Sequence, residues 1–307
     1  MPPTKRICIL GATCPIGINL TEALCLSGYE LNISYKSTKL LPANWSANKR
    51  LHPCHAHLRD VASLLAACQG CDTVVWLIHA WQNHPDHGED SLNTTALHSF
   101  CREIGQTDIQ QIVFLSSGGS IYGESLFLPV TEEHPLNAVS SYGQTKKRME
   151  SILLECSHRT QVRAAILRPS NVYGTSTLLT REHGIIGSYF RSIKEGKPFP
   201  LVAQGKQVRD YVHVCDVVKA IEHAIHATEA TLVWNVGTNT GKSVLEIVTL
   251  IQAIMPGKHP EIVDLPERVG DVSVNILSTE KIRGMTGWEP RVSLNEGLKL
   301  AAEMLRN

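Results

Sequence analysis

Short apolar runs alternate with longer segments of helical period between Arg6 and Leu167. The runs consist mainly of Ile, Leu and Val, and they cover Arg6–Leu10, Leu31–Tyr35, Thr73–Ile78, Gln111–Leu115 and Val162–Leu167. Segments with apolar positions on one helical face lie between them, at Ile16–Leu26, Val61–Cys68, Ser91–Ile104 and Tyr142–Cys156. Because strands that alternate with helices form parallel sheets with right-handed crossovers, the pattern predicts an α/β fold with a doubly wound parallel sheet.

The remainder of the chain has a less regular pattern. Helical segments are predicted at Ile185–Gly196, Val217–His226, Ser243–Ile254 and Leu294–Leu305, separated by loops that contain Pro and Gly. We expect a smaller, mostly helical lobe, with Val212–Val214 returning the chain to the main sheet. The predicted domains are therefore interleaved: residues 1–168 with 208–235 form the sheet domain, and residues 169–207 with 236–307 form the lobe.

Composition excludes several classes of protein. Charges balance, with 29 basic and 29 acidic residues among 307, so no overall field favours nucleic acid or an anionic membrane surface. Nine cysteines without CxxC spacing indicate reduced thiols in a cytosolic setting. No run of about 18 apolar residues and no signal-like segment is present, so we expect a soluble, cytoplasmic protein. The 14 histidines form no HxxxH or HExxH pair, and we assign no metal.

A glycine-containing turn follows the first predicted strand and begins the first long helix. Backbone N–H groups and the helix dipole favour a pyrophosphate at such a turn, as in Rossmann-type dinucleotide sites. The candidate cofactor contacts in this turn are Gly11, Thr13, Cys14, Ile16 and Gly17. Cys14 takes the middle position of the expected GxxGxxG, where a side chain crowds the diphosphate. A tight strand-to-helix turn without a ligand is the alternative interpretation.

The residues after the second strand bear on the choice between NAD and NADP. An acid there would accept a hydrogen bond from the ribose 2′-hydroxyl of NAD, whereas this chain has Tyr35-Lys36-Ser37. Lys36 either pairs with an NADP 2′-phosphate or points to solvent, so the ribose selectivity stays open. Asp60 follows another predicted strand and is suited to the adenine amine, to capping the helix Val61–Cys68, or to both.

Tyr142 and Lys146 have the spacing of neighbours on one helical face. A cation beside a phenol lowers the phenol's pKa from about 10 towards working pH. Tyr142 is therefore suited to exchange a proton with a substrate alcohol while a nicotinamide cofactor exchanges hydride. By itself this spacing is weak evidence of a catalytic pair, because most Tyr-x-x-x-Lys sequences are exposed pairs on a helix surface.

Motifs along nearly the whole chain resemble the extended short-chain dehydrogenase/reductase family, in particular its nucleotide-sugar epimerases and dehydratases. They match the family's GCDxV strand, helix asparagine, serine-rich strand end before VYG, LRxxNVYG, RDYVHVxDV and GWxP segments in order. In this chain they are Gly70–Val75, Asn93, Ser116–Gly123, Leu167–Gly174, Arg209–Val217 and Gly287–Pro290. Where the family commonly reads HLAA, Trp76-Leu77-Ile78-His79 places two bulky residues near the cofactor; we expect His79 to be a packed histidine.

The resemblance implies roles for single residues. Tyr142 would be the catalytic acid and base, Lys146 would bind the nicotinamide ribose, and Leu77 would contact the cofactor. The hydroxyl residue that completes the family's triad falls at Gly118 here, so Ser117 or Ser120 is expected to serve instead. The residues implied to grip the nucleotide diphosphate of the substrate are Asn171, Arg209 and Arg268.

Several reactions are compatible with this resemblance. Gly119 and Ser120 stand where the dehydratases place Asp-Glu, which disfavours dehydration. The sequence favours a 4-epimerase of UDP-hexoses or UDP-N-acetylhexosamines, active in polysaccharide synthesis, that oxidises C4 with bound NAD and returns hydride to the other face. An NADPH-dependent 4-keto-sugar reductase is the first alternative, and a non-catalytic nucleotide-binding sensor is the second. The family also implies a homodimer through Ser91–Ile104 and Tyr142–Cys156.

Overall fold

A computed structural model describes residues 5–80, 89–125, 127–174, 184–257, 259–267 and 271–306. The strands are β1 Arg6–Leu10, β2 Glu30–Tyr35, β3 Leu51–His55, β4 Thr73–Trp76, β5 Gln111–Leu115, β6 Arg163–Pro169, β7 Asn171–Tyr173, β8 Phe199–Val202, β9 Val208–Arg209, β10 Tyr211–His213, β11 Thr231–Val236, β12 Lys242–Ser243, β13 Ile262–Leu265 and β14 Val274–Asn275. The helices are α1 Pro15–Leu26, α2 Val61–Ala67, α3 Glu89–Glu103, α4 Gly118–Ile121, α5 Ser141–Arg159, α6 Ile185–Glu195, α7 Val214–His226, α8 Val244–Ile254, α9 Glu280–Thr286 and α10 Leu294–Arg306.

A seven-stranded sheet with the order β3-β2-β1-β4-β5-β6-β11 forms the centre of the fold. Each pairing from β3 through to β6 is parallel, with β1 opposite β2 at Ile9 and Ile33 and opposite β4 at Ile9 and Val75. The strand order reverses between β1 and β4, and ligands of doubly wound sheets bind beside such a switch point. The predicted α/β, doubly wound fold is therefore confirmed.

The strands of the main sheet coincide with the apolar runs of the sequence because the central strands are buried on both faces. Every residue of β4 and β5 is buried, as expected for strands of a parallel sheet covered on both faces. At the edge of the sheet, β3 has exposed positions among its partly buried ones, and it contains Pro53. An edge position tolerates proline because one side of the strand needs no hydrogen-bond donor.

The chain forms two compact units, each assembled from three segments. The first unit comprises residues 1–116, 141–167 and 221–233, and the second comprises residues 117–140, 168–220 and 234–307. The core of the first unit contains Trp76, whose ring meets that of Phe100 edge to face at 5.3 Å. The core of the second contains a similar pair, Tyr189 and Phe199, at 4.9 Å. The functional division predicted for the two domains stays a prediction.

One topological expectation is wrong. Val212–Val214 does not return to the main sheet, because β10 pairs in parallel with the short strand β7 in a separate two-stranded sheet. The buried carboxylate of Asp210 anchors this region by accepting hydrogen bonds from the backbone and hydroxyl of Thr238 at 2.7–3.0 Å. The strand that joins the main sheet is β11. Among the described helices, none has the length and apolar character needed to cross a bilayer.

Candidate active site

Two glycines shape the turn between β1 and α1. Gly11 has a φ of +98°, and a Cβ there would lie 3.0 Å from the Ile78 nitrogen and 3.1 Å from the Leu77 carbonyl carbon. A Cβ on Gly17 would overlap the Gly11 carbonyl oxygen, so only glycine lets α1 pack this closely on the turn. The Gly11 amide donates to Ser34 Oγ at 2.8 Å, which ties the turn to the end of β2. Sequence reasoning missed this contribution of Ser34.

Cys14 caps α1 in place of the middle glycine. Its Sγ accepts a hydrogen bond from the Gly17 amide at 3.2 Å, and Pro15 begins the helix without an amide donor. Thr13 and Ile16 are half-buried beside it, and the Ile16 amide has no hydrogen-bond partner among the described residues. The glycines, the helix N-terminus and the Ile16 donor fit a dinucleotide diphosphate. The thiol takes one of the donors that such a site offers.

The other proposed cofactor residues of the first unit lie at the same edge of the sheet. Leu77 follows β4, and its amide donates to the Leu10 carbonyl at 2.8 Å. Lys36 is exposed at the end of β2. Asp60 caps α2, because its Oδ1 accepts from the Ser63 amide at 3.1 Å. Its additional role at the adenine amine stays a proposal.

Lys146 is buried on α5, one turn after Tyr142. Its Nζ donates to the Leu115 carbonyl at 2.8 Å and lies 4.8 Å from the centre of the Phe114 ring and 5.7 Å from that of the Tyr142 ring. Burial lowers the pKa of Lys146 from 10.5 to about 8, and Glu150 and Cys14 act in the opposite direction. A buried amine that exchanges its proton near working pH therefore lies beside the phenol.

His79 packs edge to face on Tyr142, with ring centres 4.9 Å apart and an interplanar angle of 87°. Burial, followed by the positive charge of Lys146, lowers the pKa of His79 from 6.5 to about 3, so the imidazole is neutral at working pH. The segment after β4 is held by Asn93, whose side chain donates to the Ala80 carbonyl at 2.9 Å and accepts from the Ala80 amide at 2.8 Å. These contacts fix the surroundings of Tyr142 within the first unit.

Ser117 and Ser120 flank a glycine that the fold requires. A Cβ on Gly118 would lie 2.5 Å from Leu277 Cδ1 and 2.8 Å from the Arg168 carbonyl oxygen. A serine or threonine at position 118 therefore cannot be accommodated without a shift of the backbone. Ser117 precedes α4 without capping it through its side chain, and both serines are half-buried.

Two of the other residues predicted to bind substrate, Asn171 and Arg209, belong to the second unit. The backbone amide of Asn171 donates to the Asp210 carbonyl at 3.0 Å. The side-chain Oδ1 of Asn171 lies 3.0 Å from where a Cβ on Gly119 would be. Arg209 Nη1 donates to the carbonyls of Val208 and Ser273 at 2.9 and 3.4 Å, and burial lowers the pKa of Arg209. Arg268 lies outside the described residues.

Comparisons with known proteins agree with this geometry. The chain is similar to UDP-glucose 4-epimerase of Mycolicibacterium smegmatis, with 32% identity over 208 residues that cover 65% of this chain and 63% of the relative. It thus spans just under two thirds of the length of the curated relatives it matches. The crystal structure of UDP-glucose 4-epimerase from Thermotoga maritima with UDP-glucose has a TM-score of 0.86 and 26% identity, and the match covers 98% of both chains.

A second solved structure is the UDP-glucose 4-epimerase of Thermus thermophilus in complex with NAD. It has a TM-score of 0.85 and 25% identity, and the match covers 98% of this chain and 99% of that one. Residues 7–237 match the model of a single family, and these residues include the cofactor turn, Tyr142 and Lys146. The resemblance inferred from the motifs is confirmed, and the chain belongs to the NAD dependent epimerase/dehydratase family.

Proposed function

We propose that this protein is a nucleotide-sugar 4-epimerase that acts on a UDP-linked hexose or N-acetylhexosamine. The observation that carries the proposal is the buried Lys146 beside Tyr142 on α5, in a chain whose cofactor turn fits a dinucleotide. The similarity to enzymes described as UDP-glucose 4-epimerases supports the choice of reaction. We also propose that the protein is a cytoplasmic homodimer that serves polysaccharide synthesis.

In the proposed mechanism, Tyr142 takes the proton from the sugar O4 and later returns it. NAD, when bound, supplies reversible hydride transfer at C4. The Lys146 ammonium stabilises the Tyr142 phenolate, because an opposite charge at this range favours the ionised form of the phenol. His79 contributes no positive charge at working pH and holds the face of the Tyr142 ring.

The substrate contacts are proposed from the family resemblance. Ser117 or Ser120 would hydrogen-bond the reacting hydroxyl, since Gly118 is closed to a side chain. Asn171, Arg209 and Arg268 would bind the nucleotide diphosphate. A guanidinium suits this role because it can donate two parallel hydrogen bonds to phosphate oxygens.

Incubation with UDP-glucose, UDP-galactose and their N-acetylated counterparts tests the proposal, with the products identified by proton NMR. We expect interconversion of the C4 epimers of at least one pair without added cofactor. Tyr142→Phe should lower the rate at least about 100-fold, the range of general acid–base catalysis. Tyr29→Phe, which removes a phenol bonded to His226 on the surface of the same unit, is the matched control.

The alternatives give different results in the same assays. Consumption of NADPH with a 4-keto-sugar nucleotide, and no interconversion, would identify the reductase. Failure to bind NAD or NADP in a titration would support the non-catalytic alternative. Either result would overturn the proposed epimerase.

A further inference from the structure

Two cysteines meet between α3 and α5, in the core of the first unit. Cys101 lies near the C-terminal end of α3 and Cys156 near that of α5, and each is 2% exposed. The Sγ of Cys156 donates to the backbone carbonyl of Cys101 at 3.7 Å. Neither cysteine is in a disulfide. The two side chains therefore face each other where the two helices pack, and the proposed epimerase mechanism uses neither of them.

An exposed arginine brings positive charge to this pair. Nη2 of Arg159 donates to the same Cys101 carbonyl at 2.8 Å, although the Arg159 side chain is exposed. The amide and the hydroxyl of Thr160 donate to the Cys156 carbonyl at 2.9 and 2.8 Å, which holds the end of α5 in place. The pair is therefore closed to bulky reagents but lies one side chain below solvent, within reach of a molecule as small as hydrogen peroxide.

The two thiols differ in acidity. A hydrogen bond from the Cys101 thiol is the largest cause that lowers the pKa of Cys156, and Thr160 and Arg159 lower it further against the effect of burial. The same hydrogen bond, followed by burial, raises the pKa of Cys101. Because the thiolate is the nucleophilic form of cysteine, Cys156 is suited to attack an oxidant while Cys101 keeps its proton.

We propose that Cys101 and Cys156 form a peroxide-sensitive pair, in which Cys156 is oxidised first and Cys101 then closes a disulfide between α3 and α5. The Cys156 thiolate attacks one oxygen of hydrogen peroxide, the O–O bond breaks, and hydroxide leaves and takes up a proton to give water. Cys156 is then a sulfenic acid. The Cys101 sulfur attacks the Cys156 sulfur, the S–O bond breaks, and the oxygen leaves as a second water with the Cys101 proton. The two cysteines lose two electrons in total, and the peroxide gains them.

The disulfide would join the two helices that surround the proposed acid–base residue. A disulfide brings its sulfurs to about 2 Å, and rotation of two side chains already in contact can close that gap. Asn93 of α3 holds the backbone of Ala80 through two hydrogen bonds, and α5 carries Tyr142. The inference concerns a modification of the chain itself and does not depend on the proposed function.

Oxidation of the full-length protein with a few equivalents of hydrogen peroxide provides the test. Remaining thiols are blocked with N-ethylmaleimide in denaturant, and the peptides are mapped by mass spectrometry. We expect a peptide pair linked through Cys101 and Cys156 as the first product, ahead of oxidation at the exposed Cys215. The disulfide should raise the melting temperature by about 5 °C, and dithiothreitol should reverse both changes.

Single substitutions separate the roles of the two cysteines. In Cys101→Ala, Cys156 has no thiol to condense with and should proceed to sulfinic acid, whereas in Cys156→Ala, Cys101 should stay reduced. Arg159→Gln is a surface change that keeps both cysteines, and it should move the pH of half-maximal disulfide formation upward by about one unit. Cys71→Ala is the matched control, because Cys71 is a buried cysteine of the same core whose pKa is raised by burial.

Three results would contradict the inference. The first is oxidation of Cys215 by peroxide while Cys101 and Cys156 of the wild type stay reduced. The second is loss of the Cys101 thiol in Cys156→Ala as fast as in the wild type, and the third is an unchanged pH profile in Arg159→Gln, since both would mean that Cys156 is not the attacking thiolate. Epimerase activity is assayed on the reduced protein, so these results leave the proposed function as it stands.

Discussion

At the scale of single residues, Cys14 is the departure with the clearest chemical effect. Its sulfur takes the hydrogen bond of the Gly17 amide, a donor that would otherwise face the diphosphate. Cys14→Gly should tighten dinucleotide binding about fivefold, because a freed amide bond to a ligand contributes about 1 kcal/mol. The measurement is a titration that follows tryptophan fluorescence.

Cys14→Ser is the matched control for this change. A serine keeps a capping acceptor at the same position, so we expect its affinity to stay near that of the wild type. Tightening by serine and glycine alike would indicate that sulfur bulk, rather than the occupied amide, limits binding. Weaker binding by the glycine variant alone would mean that the cap is needed to order the turn.

Burial of the Lys146 ammonium lowers the stability of the folded protein, while the proposed mechanism needs that ammonium beside Tyr142. Its pKa is lowered from 10.5 to about 8, so the folded state holds this proton less tightly than the unfolded chain does. Below pH 8 both states are protonated, and the full penalty for the buried charge lowers the stability. Between pH 8 and about 10.5 the folded state is neutral while the unfolded chain keeps its proton, so the stability rises with pH, and above about 10.5 the penalty is gone. Lys146→Met should therefore raise the free energy of unfolding by up to about 3 kcal/mol at pH 7.

Urea unfolding at pH 7 and at pH 10 checks this prediction. The advantage of Lys146→Met should shrink as the pH rises from 8 towards 10.5, while its activity is lost at every pH. An advantage that is the same at both pH values would show that packing against Phe114, not the buried charge, accounts for the difference. Thr145→Val, one position away and buried, serves as the control.

The sequence could predict that Tyr142 and Lys146 share a helical face, because that relation depends only on local periodicity. It could not predict that Lys146 is buried under the Leu115 carbonyl, or that His79 contacts the Tyr142 ring, since those contacts join residues distant in the chain. The expectation that His79 is a packed histidine is correct. The identity of the ring that it packs against, Tyr142, could be found only from the tertiary structure.

At the scale of secondary structure elements, α4 depends on the absence of a side chain at its first residue. Gly118→Ser places a Cβ against Leu277 and the backbone of Arg168. Because the backbone contact cannot be relieved by a rotamer change, we expect a loss of about 1–3 kcal/mol in the free energy of unfolding. The introduced hydroxyl should not increase activity, although it restores the family's residue type.

Gly105→Ser is the control for this substitution. A Cβ at Gly105 has no neighbour within 4 Å, so the change should alter the free energy of unfolding by less than about 0.5 kcal/mol. Chemical denaturation of the two variants side by side provides the comparison. A Gly118→Ser protein as stable as the wild type would show that α4 shifts without penalty.

The elements also show which signals the sequence carries. β1, β4 and β5 are continuous apolar runs, and their predicted positions agree with the structure because burial on both faces demands such runs. β7, β9, β10, β12 and β14 have two or three residues each and no distinguishing pattern. Their pairing follows from long-range anchors such as Asp210, which a single sequence does not reveal.

At the scale of the whole molecule, the reactivity of the cysteines depends on which of them are buried and on whether the cofactor turn is occupied. Five of the nine are buried, Cys215 is exposed, and Cys14, Cys25 and Cys54 are half-buried. A thiol reagent should therefore modify no more than these last four rapidly in the native protein, and all nine after denaturation. Bound dinucleotide should protect Cys14 selectively, which peptide mapping by mass spectrometry would detect; unchanged labelling of Cys14 would place the ligand elsewhere.

The division of each unit into three chain segments has a consequence for synthesis on the ribosome. The first unit lacks its last segment until residue 233 has been made, although its first segment ends at residue 116. At cellular rates of translation that interval lasts on the order of ten seconds. During this time the growing chain exposes β6, whose neighbour β11 has not yet emerged. The unpaired edge of β6 is therefore the surface of the nascent chain that we expect chaperones to shield until β11 has been made.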